Sequence, residues 1–233
     1  MLTVRDLHAG YAGSEVLFGV SLRVDKGEGV VVLGPNGHGK TTLLRAISGL
    51  VRPTAGVVEL DGELISDKRP DEIAAAGVIH IPQGDLLFPE MTVYENLVMG
   101  AFVKRAWRER QQRLSRVYEL FDWLPERRDQ LARSLSGGER RMLALARGLM
   151  ADARVLLIDE PSLGLAPVIT EQIYASIRGI KESGLAILIA DENANHLAAL
   201  ADRVYLLETG SFVREAPADS LLADEALLAA YLG

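Results

Sequence analysis

Gly34-Pro35-Asn36-Gly37-His38-Gly39-Lys40-Thr41 is the stretch from which the rest of this 233-residue chain can be read. It has the form G-x-x-x-x-G-K-[ST] and lies between the apolar run Val30 to Leu33 and a helical pattern that begins near Lys40. Its glycines let successive backbone N–H groups curl around a phosphate. The helix that follows points its positive end at the same anion. Lys40 has the reach for β- and γ-phosphate oxygens, and the Thr41 hydroxyl suits Mg²⁺. Gly34, Pro35, Asn36, Gly37, His38, Gly39, Lys40, Thr41 and Thr42 are therefore candidate nucleotide contacts, with His38 at a free position where an exposed side chain is tolerated.

Further apolar runs follow the same pattern: Val78 to Ile81, Val155 to Ile158, Leu185 to Ala190 and Val204 to Leu207. Short continuous runs suit strands buried on both faces of a parallel sheet, and helices between them suit crossovers. The first sixty residues read instead as strands and turns, over Leu2 to Leu7 and Val16 to Val24, with Asp61-Gly62 as a hairpin-turn signal. Residues 85–150 read as an inserted helical segment, almost wholly helical from Thr92 to Met150. Thr92 and Glu95 form a capping box, and a long charged helix from near Lys104 is expected to end at Pro125. The tail from Ala216 to Gly233 reads as a turn and one or two amphipathic helices. The domain expectation is one unit, with 1–84 and 151–233 as core and 85–150 as insertion.

Val155-Leu156-Leu157-Ile158-Asp159-Glu160 is an apolar strand ending in two acids. Beside a phosphate loop this divides the labour: Asp159 holds Mg²⁺, and Glu160, just past the strand end, orients and deprotonates a water. Leu135-Ser136-Gly137-Gly138-Glu139 precedes another helix, with Ser136 as N-cap and two glycines that open the backbone to a second anion.

One nucleotide does not need two cradles on one chain. The ordered set of motifs resembles the ABC ATPases over essentially the whole chain. The resemblance implies an α/β fold of the P-loop NTPase (RecA-like) class, with an N-terminal antiparallel β subdomain and an inserted α-helical subdomain. It implies that Ser136, Gly137 and Gly138 bind ATP held by a second ATPase subunit, either a different chain or another copy. It implies that Tyr11 stacks on adenine and that Gln83 senses Mg²⁺ and the γ-phosphate. Two positions depart from the pattern: Ala166 stands where many members carry Asp, and Glu192 stands where a switch histidine would donate to the γ-phosphate. An ionised Glu cannot donate, and at about 4 Å from a unit negative charge it is repelled by roughly 4 kcal/mol at an effective dielectric near 20. Glu192 must then be protonated, turned away or compensated, and this site is expected to hydrolyse poorly. His196 is a possible substitute donor or a helix-surface histidine.

The loop Pro161 to Pro167, the non-histidine switch and the Tyr231-Leu232-Gly233 ending resemble the shorter ATPase subunit of branched-chain amino acid importers. Urea and short-amide importers look alike. A lipopolysaccharide-exporter ATPase is a rival that would be expected to keep the histidine, and a soluble ABC ATPase is another. The importer resemblance implies transmembrane permease subunits and, indirectly, a periplasmic or extracellular solute-binding protein. It places this chain peripherally on the cytoplasmic face of the inner membrane. Leu86, Leu87, Phe88, Tyr94, Met99 and Phe102 either line a groove for a membrane-subunit helix or pack inside the insertion.

Bulk properties agree with these expectations. Hydrophobic residues are 48%, charged residues 24%, and cysteine is absent, which removes disulfides and thiolate metal sites. A net charge of −7 argues against a nucleic-acid partner, despite basic clusters at Arg105 to Arg116 and Arg127 to Arg133. No apolar run approaches the roughly 20 residues of a spanning helix, and Met1 to Asp6 has no signal-peptide character.

Overall fold

The computed structural model describes residues 1–193, 196–197 and 199–222. A four-stranded antiparallel sheet comes first: β1 (Leu2–Tyr11), β2 (Ser14–Val24), β4 (Ala55–Leu60) and β5 (Glu63–Leu64), in the order β2-β1-β4-β5. Asp61-Gly62 makes the tight turn between β4 and β5.

The second sheet contains β3 (Gly29–Leu33), β6 (Val78–Ile81), β7 (Val155–Asp159), β8 (Ala186–Asp191), β9 (Arg203–Glu208) and β10 (Ser211–Pro217), in the order β10-β9-β3-β8-β7-β6. Its strands are parallel except β10, which pairs antiparallel with β9. All five residues of β3 and of β7 are buried. Side chains alternate between two cores, as a period of two requires. Val31, Leu33, Leu156, Ile158, Ile187 and Ile189 face one core, and Val30, Val32, Val155, Leu157 and Leu188 face the other. The first core includes α6 (Gly137–Leu149) and α7 (Pro167–Glu182), and the second includes α1 (Lys40–Ile47) and the antiparallel sheet. The central place of β3, between β8 and β9, puts the loop after it at the carboxyl edge of the parallel strands, where ligands bind in such sheets.

Among the described residues the remaining helices are α2 (Pro70–Ala76), α3 (Val93–Gly100), α4 (Lys104–Arg108), α5 (Arg110–Leu120) and α8 (Ala218–Leu222). The capping box at Thr92 is present, with Thr92 accepting from the Glu95 N–H and Glu95 accepting from that of Thr92.

The long charged helix expected to reach Pro125 is corrected to two helices that stop earlier. The first break falls at Glu109 (φ −92°, ψ 6°), where Arg110 Nη1 takes the Trp107 carbonyl at 2.9 Å, a group the continuing helix would use. The second falls at Phe121 (φ −133°, ψ 76°), whose ring turns into the core beside Leu124 before the proline is reached. Turns and a short 3₁₀ segment, Ala132–Ser134, fill the stretch to Leu135. The expected turn at Ala216 is corrected as well: Ala216 and Pro217 end β10, a helix, Ala218–Leu222, follows within the expected helical tail, and the rest of that tail lies outside the described residues. Among the described residues no helix is long and apolar enough to cross a membrane.

Candidate functional site

The loop after β3 closes on its own lysine. Lys40 is 3% exposed, and its Nζ donates to the carbonyls of Gly34 (2.8 Å) and Pro35 (3.2 Å) and to Asn36 Oδ1 (3.4 Å). Gly39 caps α1 with φ 106°, a left-handed conformation that a side chain would resist. A cavity of about 350 Å³ opens here, lined by Val16, Asn36, Gly37, Gly39, Lys40, Thr41, Thr42, Gln83 and Glu160. The N-terminus of α1, the lysine and the loop amides suit it to an anion.

Two acids from the end of β7 meet this loop. Asp159 Oδ1 accepts from Thr41 Oγ1 at 3.2 Å, while its Oδ2 is buried with no partner. Burial raises the Asp159 pKa above the usual carboxylate value, partly opposed by the Thr41 bond. An orphaned carboxylate oxygen beside a threonine hydroxyl and a phosphate pocket is a donor set that suits Mg²⁺, which takes few protein ligands and keeps waters and phosphate oxygens. No group of three or more His, Cys, Asp or Glu side chains that could hold a metal ion occurs among the described residues, so phosphate and water would supply the remaining ligands.

Glu160 is held from every side. Its Oε1 lies 3.2 Å from Lys40 Nζ, its Oε2 accepts from Gln83 Nε2 at 2.9 Å, and its N–H donates to Ala190 O at 2.9 Å. Its φ of 40° is unusual for a residue with a side chain, a strained geometry that persists only where the surroundings impose it. Those surroundings include Arg141 of α6, which sequence reading missed. Arg141 is 5% exposed and donates to the carbonyls of Pro161 (2.7 Å), Pro82 (3.0 Å), Asp159 (3.2 Å) and Glu160. Burial lowers its pKa from the ordinary guanidinium value. The available signal was its place on the helix face that also buries Leu145 and Gly148, where an arginine needs several acceptors.

Glu192 is neither turned away nor unsupported: its carboxylate accepts from Asn36 Nδ2 of the phosphate loop. An amide donor thus supports Glu192 at the edge of the loop. His38 is corrected. It is not a free exposed position, because Nδ1 accepts from Thr209 N at 3.1 Å and its carbonyl from Gly210 N at 3.0 Å, tying the loop to the β9–β10 turn. Its side chain is not among the cavity-lining residues. His196 stacks on Tyr174, ring centroids 5.1 Å apart, and lines a neighbouring cavity of about 270 Å³ with Glu160, Asp191 and Glu192. Tyr11 lies outside the phosphate cavity, 42% exposed at the end of β1, with Arg45 Nη1 3.4 Å from its hydroxyl.

Ser136, Gly137 and Gly138 are also outside that cavity. Ser136 caps α6 in a capping box with Glu139, and Ser136 and Gly137 are exposed. Gly138 is a packing glycine: a Cβ there would stand 2.3 Å from Ile169 Cγ2. This helix tip therefore faces solvent, with no share in its own chain's phosphate loop.

Comparison with known proteins gives the same picture. The family described as "ABC transporter" matches residues 17–163. The chain is 38% identical over 233 residues, covering all of both chains, to the high-affinity branched-chain amino acid transport ATP-binding protein BraG of Pseudomonas aeruginosa. It is 36% identical to the lipopolysaccharide export system ATP-binding protein LptB of Escherichia coli K12, over all of this chain and 97% of the relative. The ADP conformation of MJ1267, an ATP-binding cassette of an ABC transporter, superposes with a TM-score of 0.84 at 25% identity, covering 100% and 98% of the two chains. The dimeric post-hydrolysis state of the cassette MJ0796, bound to ADP and Pi, superposes at 0.80 and 25%, over 94% and 99%. A glycine-rich loop with its acids, an exposed capped helix tip at Ser136 and similarity over the full length lead to one assignment: the chain belongs to the ABC transporter family, as one of its ATP-binding, ATP-hydrolysing subunits.

Proposed function

We propose that this subunit powers uptake of branched-chain amino acids or a chemically related small solute. It works on the cytoplasmic face of the membrane through permease subunits, paired with a second cassette, while a solute-binding protein delivers cargo outside. Full-length similarity to BraG supports the importer reading, together with a switch position that carries Glu192. In this reading ATP sits on Gly34 to Thr42 with Tyr11 toward the adenine, and Thr41, Asp159 and Gln83 hold Mg²⁺. The ion neutralises phosphate charge when bound. Glu160 orients and deprotonates the water, and Gln83 keeps Glu160 in place through its amide. Ser136, Gly137 and Gly138 close on the nucleotide of the partner cassette, which the exposure of Ser136 and Gly137 allows. Residues 1–84 with 151–233 form the core and 85–150 the insertion. Leu86, Phe88, Met99 and Phe102, all exposed and lining one cavity of about 340 Å³, offer the groove for a permease helix.

Similarity to LptB favours lipopolysaccharide export as a second reading. Uptake of labelled leucine, urea and short amides in a deletion strain separates the two. Loss of uptake of one of these solutes, restored by the parent gene and not by Lys40→Ala, supports import. Normal uptake of all of them with a defective outer surface supports export.

A further inference from the structure

Asp191, the last residue of β8, is a carboxylate only 3% exposed that the reaction as described does not use. It stands opposite Leu33 in the β3–β8 register, beside the start of the phosphate loop. One oxygen, Oδ1, accepts the backbone N–H of Glu192 at 2.7 Å and that of Asn193 at 3.0 Å, which sets the turn out of the strand. The other, Oδ2, accepts from the Tyr174 hydroxyl of α7. Burial raises the pKa of both side chains.

The same tyrosine touches two further elements. Its hydroxyl is 3.4 Å from Ser162 Oγ, in the loop after Glu160, and its ring lies parallel to His196 within 15°. Burying a carboxylate costs several kcal/mol unless donors surround it. Three donors here fix one geometry of the switch turn, and that geometry delivers Glu192 to Asn36. Neither Asp191 nor Tyr174 lines the phosphate cavity.

We infer that Tyr174 and Asp191 are positioning residues for Glu192: they hold the switch turn so that the Glu192 carboxylate stays against the phosphate loop, where it selects against the γ-phosphate. The inference rests on the reading that this cavity takes ATP. Released from Tyr174, the turn relaxes and Glu192 withdraws, so ATP gains on ADP. One hydrogen bond in such a network shifts an equilibrium by about 5-fold.

The test is titration calorimetry of the full chain with ATP and with ADP, both with Mg²⁺. The chains compared are the parent, Tyr174→Phe, Asp191→Asn, Glu192→Ala and the double variants with Glu192→Ala. The expected result is a ratio of ATP to ADP affinity about 5-fold higher in Tyr174→Phe and Asp191→Asn, and no such shift once Glu192 is Ala. An unchanged ratio with a lowered melting temperature shows a purely structural role and overturns the inference. An equal shift with and without the Glu192 carboxylate overturns it too. A parent chain that binds neither nucleotide removes the reading of the cavity, and the inference with it, a result distinct from a binding parent with unresponsive variants.

Discussion

Arg141→Ala is the substitution whose cost follows most directly from the structure. The guanidinium is buried and donates to four carbonyls, of Pro82, Asp159, Glu160 and Pro161, which belong to the ends of β6 and β7 and the turn beyond. Truncation leaves these acceptors facing a void that alanine does not fill. Each unsatisfied buried acceptor costs about 1–3 kcal/mol, and because Glu160 O keeps the Leu163 N–H and the turn can relax, the total lies near the low end of that sum. The loss expected is on the order of 4 kcal/mol. At a urea dependence near 3 kcal/mol per M, the unfolding midpoint falls by roughly 1–2 M. Arg141→Lys recovers only part, because a single ammonium cannot span the planar fork of acceptors. Urea titrations of the three proteins by circular dichroism measure this, with MgATP turnover alongside because Asp159 and Glu160 lose their backbone anchor. A midpoint within about 0.3 M of the parent, with turnover unchanged, would refute the reasoning.

Three further outcomes are expected. His80 has its pKa lowered to about 4 by burial and the nearby Arg45 charge, with Nε2 unpartnered. A folded value below the unfolded one means stability present above pH 6.5 and lost as pH falls towards 4, by up to about 3 kcal/mol. Urea midpoints of the parent should therefore fall more steeply over that window than those of His80→Gln, and parallel curves would contradict the assignment. Gly138→Ala meets Ile169 Cγ2 at 2.3 Å, so thermal unfolding should show a loss of about 1–3 kcal/mol. Adding Ile169→Ala should recover part of the Gly138→Ala loss, and a double variant no better than the sum of the two single losses rejects the packing account. Glu192→Gln removes the charge and keeps the Asn36 contact, so turnover by the assembled transporter should rise, with unchanged or lower turnover counting against the repulsion.

Much of the site was legible because its chemistry is local in sequence. The phosphate loop, the Asp159-Glu160 pair and the Ser136 helix cap each lie within a few residues and carry their own backbone signals. The parallel strands were equally plain, since burial on both faces leaves unbroken apolar runs such as Val30 to Leu33. What sequence reading missed depends on distant partners. Asn36 and Glu192 lie 156 positions apart, and His38 and Thr209 lie 171 apart, so neither contact has a local pattern. The early helix ends at Glu109 and Phe121 were hidden for another reason. Proline is a strong breaker, but burial of Phe121 and the Arg110 side chain on a helix carbonyl acted first. β10 escaped because it is an edge strand with mixed burial, lacking either a continuous apolar run or a clean alternation.

The central claim is that a triphosphate bound on the loop of one cassette is closed by the Ser136–Gly138 helix tip of another. Light scattering of the full chain carrying Glu160→Gln, alone and mixed with a candidate second cassette, tests it most directly. The account predicts that MgATP doubles the particle mass, that MgADP does not, and that Gly137→Glu, which sets a carboxylate at an exposed helix tip, abolishes the doubling. A mass that ignores ATP in both preparations, or a Gly137→Glu variant that pairs as well as its parent, would contradict it.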